Sequence, residues 1–532
     1  MPLAIAADEN SLCTQGSNNI SMIADLGFRP EKDGFNFSNY GQGTQGLTPD
    51  EIRRLFGDGA CISSANGRCS LGPAGTYWME FINSLMDGGH CMGLATLSLL
   101  FFEGFEDPSA FGARSTHNLT LDGNEPLQRE IAYWFAMQGV DPASSSKIEL
   151  SPNEILYLLA MSMADEDRTL KYTMSISKPD GTGGHAVMPF SVVSLGNETY
   201  WILIYDNNIP DQPVPVVINA SSNTWTYPIY DGYEGDATNL SLALYPIGTQ
   251  LTGQDCPFCK DSNLTYCQIW TMGPARLLIE DAKGRRLGIV EGKLINEIPG
   301  ADAWYPMAGQ VDLSDVNTSK ANISQVDKTA MKEINITPPV YQVPYGWQSF
   351  DVKIEGLENK SQSNLAVISP AFFIVALNIS LEKGQKDDLW FSDIVHSQNG
   401  EFFSYHPSGP ESPDLGWGVQ DNDSLIYFVL NGFDLEKNAS IAFSMRQDNK
   451  TSFEVSASNK TSLFDFGGAF INQTFRRAVV LDNISLQADS KAIFDCQGWP
   501  DRDQRILGIY DKNETLIREL QLENGTKYIM DI

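Results

Sequence analysis

Apolar residues recur at two different periods along this chain, and the change falls near His185. Upstream, "TPDEIRRLFG" and "SPNEILYLLAMSM" each supply a hydroxyl cap (Thr48, Ser151), a proline at the first helical position and a glutamate three residues after the cap (Glu51, Glu154). That grammar satisfies two orphan N–H groups at a helix start. "TYWMEFINSLM" and "LQREIAYWFAMQ" add apolar residues at helical spacing, and their aromatic and methionine side chains read as core faces. Beyond His185, runs such as "AFFIVALNISL", "SLIYFVL", "SIAFSM" and "RAVVLDNISL" are broken by Gly, Asp, Asn and Pro turns, as strands are. The expected class is therefore α+β. A chain of 532 residues exceeds one core and makes about three domains at ~100–200 residues each. We expect a helix-bearing domain over 1–255, a small Cys-containing β domain over 256–337 and a β-sandwich over 338–532, the last boundary marked by "TPPVYQVPYG".

Charge limits the partners. Lys plus Arg is 36 against 67 Asp plus Glu, a formal charge of −31, which argues against nucleic acid and anionic membranes. No apolar run reaches the ~18–20 residues of a bilayer span. The beginning, "MPLAIAADEN", lacks the basic region and apolar length of a signal peptide, so an exported form would start near a processed end or omit its leader. No phosphate-cradling glycine loop or His-Glu-x-x-His site is present, and neither cofactor nor metal is expected.

Export is nevertheless what the asparagines suggest. Of 34 Asn, 20 stand in N-x-[ST], where the 72 Ser and Thr would give about five by chance. They are Asn19, Asn36, Asn118, Asn197, Asn219, Asn239, Asn263, Asn317, Asn322, Asn335, Asn359, Asn378, Asn422, Asn438, Asn449, Asn459, Asn472, Asn483, Asn513 and Asn524. The expectation is an extracellular or cell-surface protein carrying N-linked glycans, with surface assembly or a homo-oligomer left open. Eight cysteines agree with an oxidising compartment. Cys61 and Cys69 bracket a Ser/Asn/Gly loop that a disulfide can close. Cys256, Cys259 and Cys267 form C-x2-C-x7-C; disulfide pairing is favoured over zinc, since no fourth ligand follows at finger-like spacing.

The candidate chemistry lies in "GGHCMGLATLSLLFFEG", where Cys91 falls in the first turn of a helix. A helix N-terminus carries partial positive charge and unpaired N–H groups, which favour an anion and can hold a developing oxyanion. The alternative is an inert buried thiol. Further on, "GGHAVMPFSVVSLGNETYWILIYDNNIP" reads as a hairpin around "LGNE". With Gly196 and Asn197 as the tip, Leu195 pairs with Glu198, His185 faces Asn208 and Asp206 faces Val187. His185 and Asp206 then share a face within diagonal reach. A carboxylate on one imidazole nitrogen fixes the tautomer and leaves the other to receive a thiol proton. His90 points away from Cys91 and reads as a turn or packing residue; His117, His396 and His406 receive no role.

Gly-His-Cys at a helix start, a later Gly-Gly-His-Ala-Val strand and Tyr-Asp-Asn-Asn after an apolar strand resemble the papain-like cysteine peptidases, in particular the bacterial and archaeal branch near the bacteriocin-processing peptidases. The resemblance covers roughly residues 30 to 230. It implies a papain-like N-terminal domain acting on a protein or peptide substrate, with Cys91 as nucleophile, His185 as base and then acid, and Asp206 as orienting group. Such enzymes place a glutamine some six residues before the nucleophile; Leu85 stands there, and Asn83 is the expected replacement as oxyanion donor. Two alternatives accompany this reading: a transglutaminase-like acyl transferase, and a surface-layer or adhesive glycoprotein whose peptidase-like domain is inactive or only self-processing.

Overall fold

The computed structural model describes residues 20–64, 67–180, 183–312 and, further on, 332–334, 338–346, 349–392 and shorter stretches as far as 530. With about 22% helix and 41% strand in several sheets, the protein is α+β with strand dominant. The principal helices are α1 (Pro49–Phe56), α2 (Pro73–Leu85), α3 (Cys91–Glu103), α4 (Glu125–Ala136) and α5 (Pro152–Ala164). Both capping boxes form: the N–H of Thr48 donates to Glu51 at 2.8 Å, and that of Ser151 to Glu154 at 3.0 Å. Helix α3 is central, and every one of its residues but Phe102 is buried. Gly93 is what lets it lie against α4, since a Cβ there would come within 2.1 Å of the Ile131 carbonyl oxygen.

Nine strands form the first sheet. They are β1 (Ser21–Asp25), β2 (Ile148–Glu149), β3 (Tyr172–Ile176), β4 (His185–Gly196), β5 (Thr199–Tyr205), β6 (Pro213–Asn219), β7 (Thr224–Thr226), β8 (Glu234–Asp236) and β9 (Leu242–Pro246). Their order is β8-β7-β6-β5-β4-β3-β9-β2, with β1 also on β4. Ala186, Met188 and Phe190 of β4 join the core around α3 and α4, whereas Val187 and Val192 pack with Ile155 and Leu159 of α5. The sheet thus lies between two helical layers, and the parity change after Phe190 marks a bulge in the β4–β5 pairing.

The hairpin tip differs from expectation by one residue. Asn197 and Glu198, both at positive φ (49° and 59°), form the two-residue loop, and Gly196 at φ 78° takes an irregular position before it. A tight hairpin needs positive φ at both central residues, and glycine is suited to the bulge. A second irregularity, between Pro189 and Ser191, restores the expected register, so that Met188 pairs with Tyr205.

Downstream, a ten-stranded and an eleven-stranded antiparallel sheet share one core. Trp417 of the first meets Phe443 of the second at 4.3 Å between ring centroids. The expected division at 337/338 does not appear in the strand pairing. Tyr266–Met272 pairs with both Val340–Pro344 and Ser361–Ile368, and Ala275–Asp281 pairs with Ser349–Gly356. Pairings this distant in sequence leave no local signature. Helix α2 packs on the ten-stranded sheet, Phe81 stacking on Trp270 at 4.5 Å and Trp78 donating to Gln268 at 3.1 Å. From the same sheet, Asp302–Trp304 leads directly into a segment, 305–309, that enters the first domain.

Cys61 is bonded to Cys69 and Cys256 to Cys259. Cys267, grouped with the latter pair by spacing, is instead a buried thiol directed at the Val343 carbonyl at 3.6 Å. Cys13 and Cys496 lie outside the described residues.

Candidate active site

Cys91 is the first residue of α3 and is completely buried. Its sulfur accepts from the Ala186 N–H at 3.3 Å and donates to the Met307 carbonyl at 3.2 Å. The thiol therefore sits beside the His185–Ala186 peptide at the start of β4. Asn207, also buried, donates through Nδ2 to the carbonyls of Cys91 (3.1 Å) and Ala186 (2.9 Å), tying the helix start to the strand. This brace holds the start of α3 against the start of β4.

His185 Nε2 meets Asp206 Oδ1 at 2.8 Å, and both side chains are buried. Nδ1 is buried too, with no hydrogen-bond partner among the described residues. Asp206 Oδ1 further accepts from the Asn208 N–H at 2.8 Å, while Oδ2 accepts from the hydroxyls of Tyr227 and, at 3.1 Å, Tyr230. Burial by itself would raise this carboxyl, but the His185 charge and hydrogen bond, helped by Tyr227 and the Asn208 N–H, outweigh it and hold Asp206 below the usual carboxylate range. The ring responds in the opposite sense. Burial would strip its proton, yet the Asp206 charge and hydrogen bond, with the neighbouring Cys91 sulfur, push it up from 6.5 to about 10. The result is a buried, strongly basic imidazole one residue before the Ala186 N–H that meets the Cys91 sulfur.

The other sequence candidates fall elsewhere. Asn83 is spent on Leu47: its Oδ1 accepts from the Leu47 N–H at 2.7 Å and its Nδ2 donates to the Leu47 carbonyl at 3.0 Å. It holds the loop before α1, and the expectation that it is an oxyanion donor is corrected accordingly. The amide found beside the start of α3 is Asn39, whose Oδ1 accepts from the His90 N–H at 2.7 Å and whose Nδ2 donates to the Gly309 carbonyl at 3.0 Å. His90 stacks on Tyr40 at 4.1 Å and donates from Nδ1 to the Tyr40 carbonyl at 2.7 Å. Burial, only partly opposed by that hydrogen bond, lowers it to about 4, so it is neutral at ordinary pH. His117 faces Asp211 and His406 faces Ser404; His396 lies outside the described residues.

Asn39, Asn207, Tyr227 and Tyr230, and Asn208 other than as the residue facing His185, were not singled out in the sequence. "YDNNIP" carried two of them directly behind Asp206, but only the fold brings Asn39 and the tyrosines of "TWTYPIYDGY" to the same place.

Of the glycosylation candidates, Asn36, Asn118, Asn197, Asn219, Asn263, Asn359, Asn378 and Asn513 are exposed, and Asn239 is half-buried. Asn472 and Asn483 lie in strands; Asn19, Asn317, Asn322, Asn335, Asn422, Asn438, Asn449, Asn459 and Asn524 lie outside the described residues. Among the described residues no single helix is long and apolar enough to cross a membrane, and no three His, Cys, Asp or Glu side chains cluster to hold a metal ion. No family model, curated protein or solved structure gives a significant match to the chain.

Proposed function

We propose that the chain is an extracellular, glycosylated thiol hydrolase of papain-like character that cleaves peptide or amide bonds, its N-terminal domain (1–255) carried on a β-sandwich. The observation that carries this reading is the polarised state of His185: one nitrogen is locked to a buried carboxylate, and the other is buried without a partner at the Cys91 end of the strand. A merely structural buried histidine would satisfy both nitrogens. In the reaction, Cys91 acts as the thiolate of an ion pair with the charged His185 ring, whose second proton sits on Nδ1, and the sulfur attacks the substrate carbonyl carbon. The oxyanion that forms is held by the Cys91 N–H at the helix start and by Asn39 Nδ2. The imidazolium returns its proton to the leaving amine, giving a thioester on Cys91. Water, deprotonated by the same nitrogen, then releases the acyl group as a carboxylic acid and restores the Cys91 thiolate beside the charged ring. Asp206, with Tyr227, Tyr230 and the Asn208 N–H behind it, keeps the ring oriented and stabilises its charged form.

Eight exposed sequons and two disulfides support an extracellular setting. The test is labelling with an epoxide or vinyl-sulfone peptide inhibitor, applied to protein in which Met307→Gly loosens the 305–309 segment that covers Cys91. One adduct on Cys91, absent in Cys91→Ala and strongly slowed in His185→Ala, supports the hydrolase. A rate indifferent to His185 would reduce Cys91 to a packed thiol.

A further inference from the structure

The triad is complete but covered. We propose that residues Pro306–Gly309 form an intramolecular latch, a pseudosubstrate that lies in the substrate cleft and keeps Cys91 latent until it is displaced. The proposal rests on the hydrolase reading and supplies its regulation.

The latch touches each part of the machinery through its backbone. The Met307 carbonyl accepts from Cys91 Sγ at 3.2 Å. The Gly309 N–H donates at 3.0 Å to the carbonyl of Gly184, the residue before His185. The Gly309 carbonyl accepts from Asn39 Nδ2 at 3.0 Å and from Asn208 Nδ2 at 3.2 Å. The Met307 N–H is held by the Gln138 side chain. Backbone recognition of this kind is how a cleft binds an extended peptide whatever its side chains.

The two Gly-Gly-His motifs are explained by the same contact. A Cβ on Gly89 would lie 2.5 Å from the Ala308 carbonyl oxygen, and one on Gly184 would lie 2.5 Å from the Met307 sulfur. Each motif keeps its second residue bare where the latch passes, Gly89 against its backbone and Gly184 against the Met307 side chain. Gly309 is bare in turn, since a Cβ there would meet the Gly184 carbonyl oxygen at 2.9 Å. With the latch in place, Met307 and Ala308 are buried, Cys91 is wholly enclosed and His185 is 1% exposed, so no substrate carbonyl reaches the sulfur.

The experiment measures iodoacetamide alkylation of Cys91 in the full chain by peptide mass spectrometry, with the buried Cys267 as an internal reporter of unfolding. Gly309→Val drives the latch off Gly184, and Met307→Gly removes its side-chain anchor. Either variant should alkylate Cys91 at least ten times faster than the parent while Cys267 stays protected. Unchanged Cys91 rates with Cys267 protected would overturn the latch, as would equal acceleration at both thiols, which would mean general opening. Adding His185→Ala to Met307→Gly separates the two claims. If that addition leaves the fast rate untouched, the latch stands and the triad reading fails.

Discussion

Replacing Asp206 by Asn tests the buried ion pair on which the chemistry depends. The wild-type ring keeps its proton to about pH 10, whereas an unfolded histidine loses it near 6.5. About 3.5 pH units at about 1.4 kcal/mol each make about 5 kcal/mol of preference for the folded, protonated state. Because the folded value is the raised one, this stabilisation is fully present below pH 6.5 and is lost as pH climbs toward 10. Asparagine keeps the shape but not the charge. Burial then favours the neutral ring, and the variant should be less stable by about 3–5 kcal/mol at pH 6, the usual cost of breaking a buried pair. The gap should close as the wild type surrenders its proton. Denaturant midpoints of both proteins, followed by tryptophan fluorescence from pH 6 to 10, give the comparison. A gap that stays constant over that range would refute the reasoning, since it would mean that asparagine disturbs packing and that no ion pair is present.

Tyr227→Phe removes a hydroxyl donor from Asp206 and should cost about 1.5–3 kcal/mol; because the Asp206 value is depressed, the loss should be seen above pH 3.8 and fade as pH falls through the titration of the carboxylate. Gly93→Ala places a methyl against the Ile131 carbonyl and should lower stability by about 1–3 kcal/mol, read from the same denaturation curves. In protein from its native source, glycopeptide mass spectrometry should find hexose-bearing forms at exposed sites such as Asn36, Asn197, Asn378 and Asn513; unmodified asparagines throughout would remove the main argument for export.

The sequence was most informative where chemistry and local structure coincide. Thr48 with Glu51, and Ser151 with Glu154, announced two helices because a cap is built from neighbours. Cys91 was legible as a helix start because the glycines and the apolar run flank it directly. The His185–Asp206 contact was reached from a register drawn with the wrong tip; two bulges cancelled the error at the open end of the hairpin. That agreement owed something to geometry that no alternation pattern displays. Asn83 was a choice by proximity in sequence, and the loop at Leu47 had already engaged it. Asn39 lies far upstream of the cysteine and the latch far downstream of the aspartate, so their arrival at the site depends on tertiary packing alone. The merging of the two downstream β segments was hidden for the same reason, since partner strands such as Ala275–Asp281 and Ser349–Gly356 are separated by other elements.

The most direct test of the central claim is capture of the acyl-enzyme. Met307→Gly protein, opened at the latch, is mixed with an activated peptide ester and quenched in acid, and the mass of the Cys91 peptide is followed with time. The account predicts a single acyl adduct on Cys91 that forms and then decays, is absent in Cys91→Ala, and forms at least ~100-fold more slowly when His185→Ala is added. No adduct on Cys91, or acylation shared equally between Cys91 and Cys267, would contradict it.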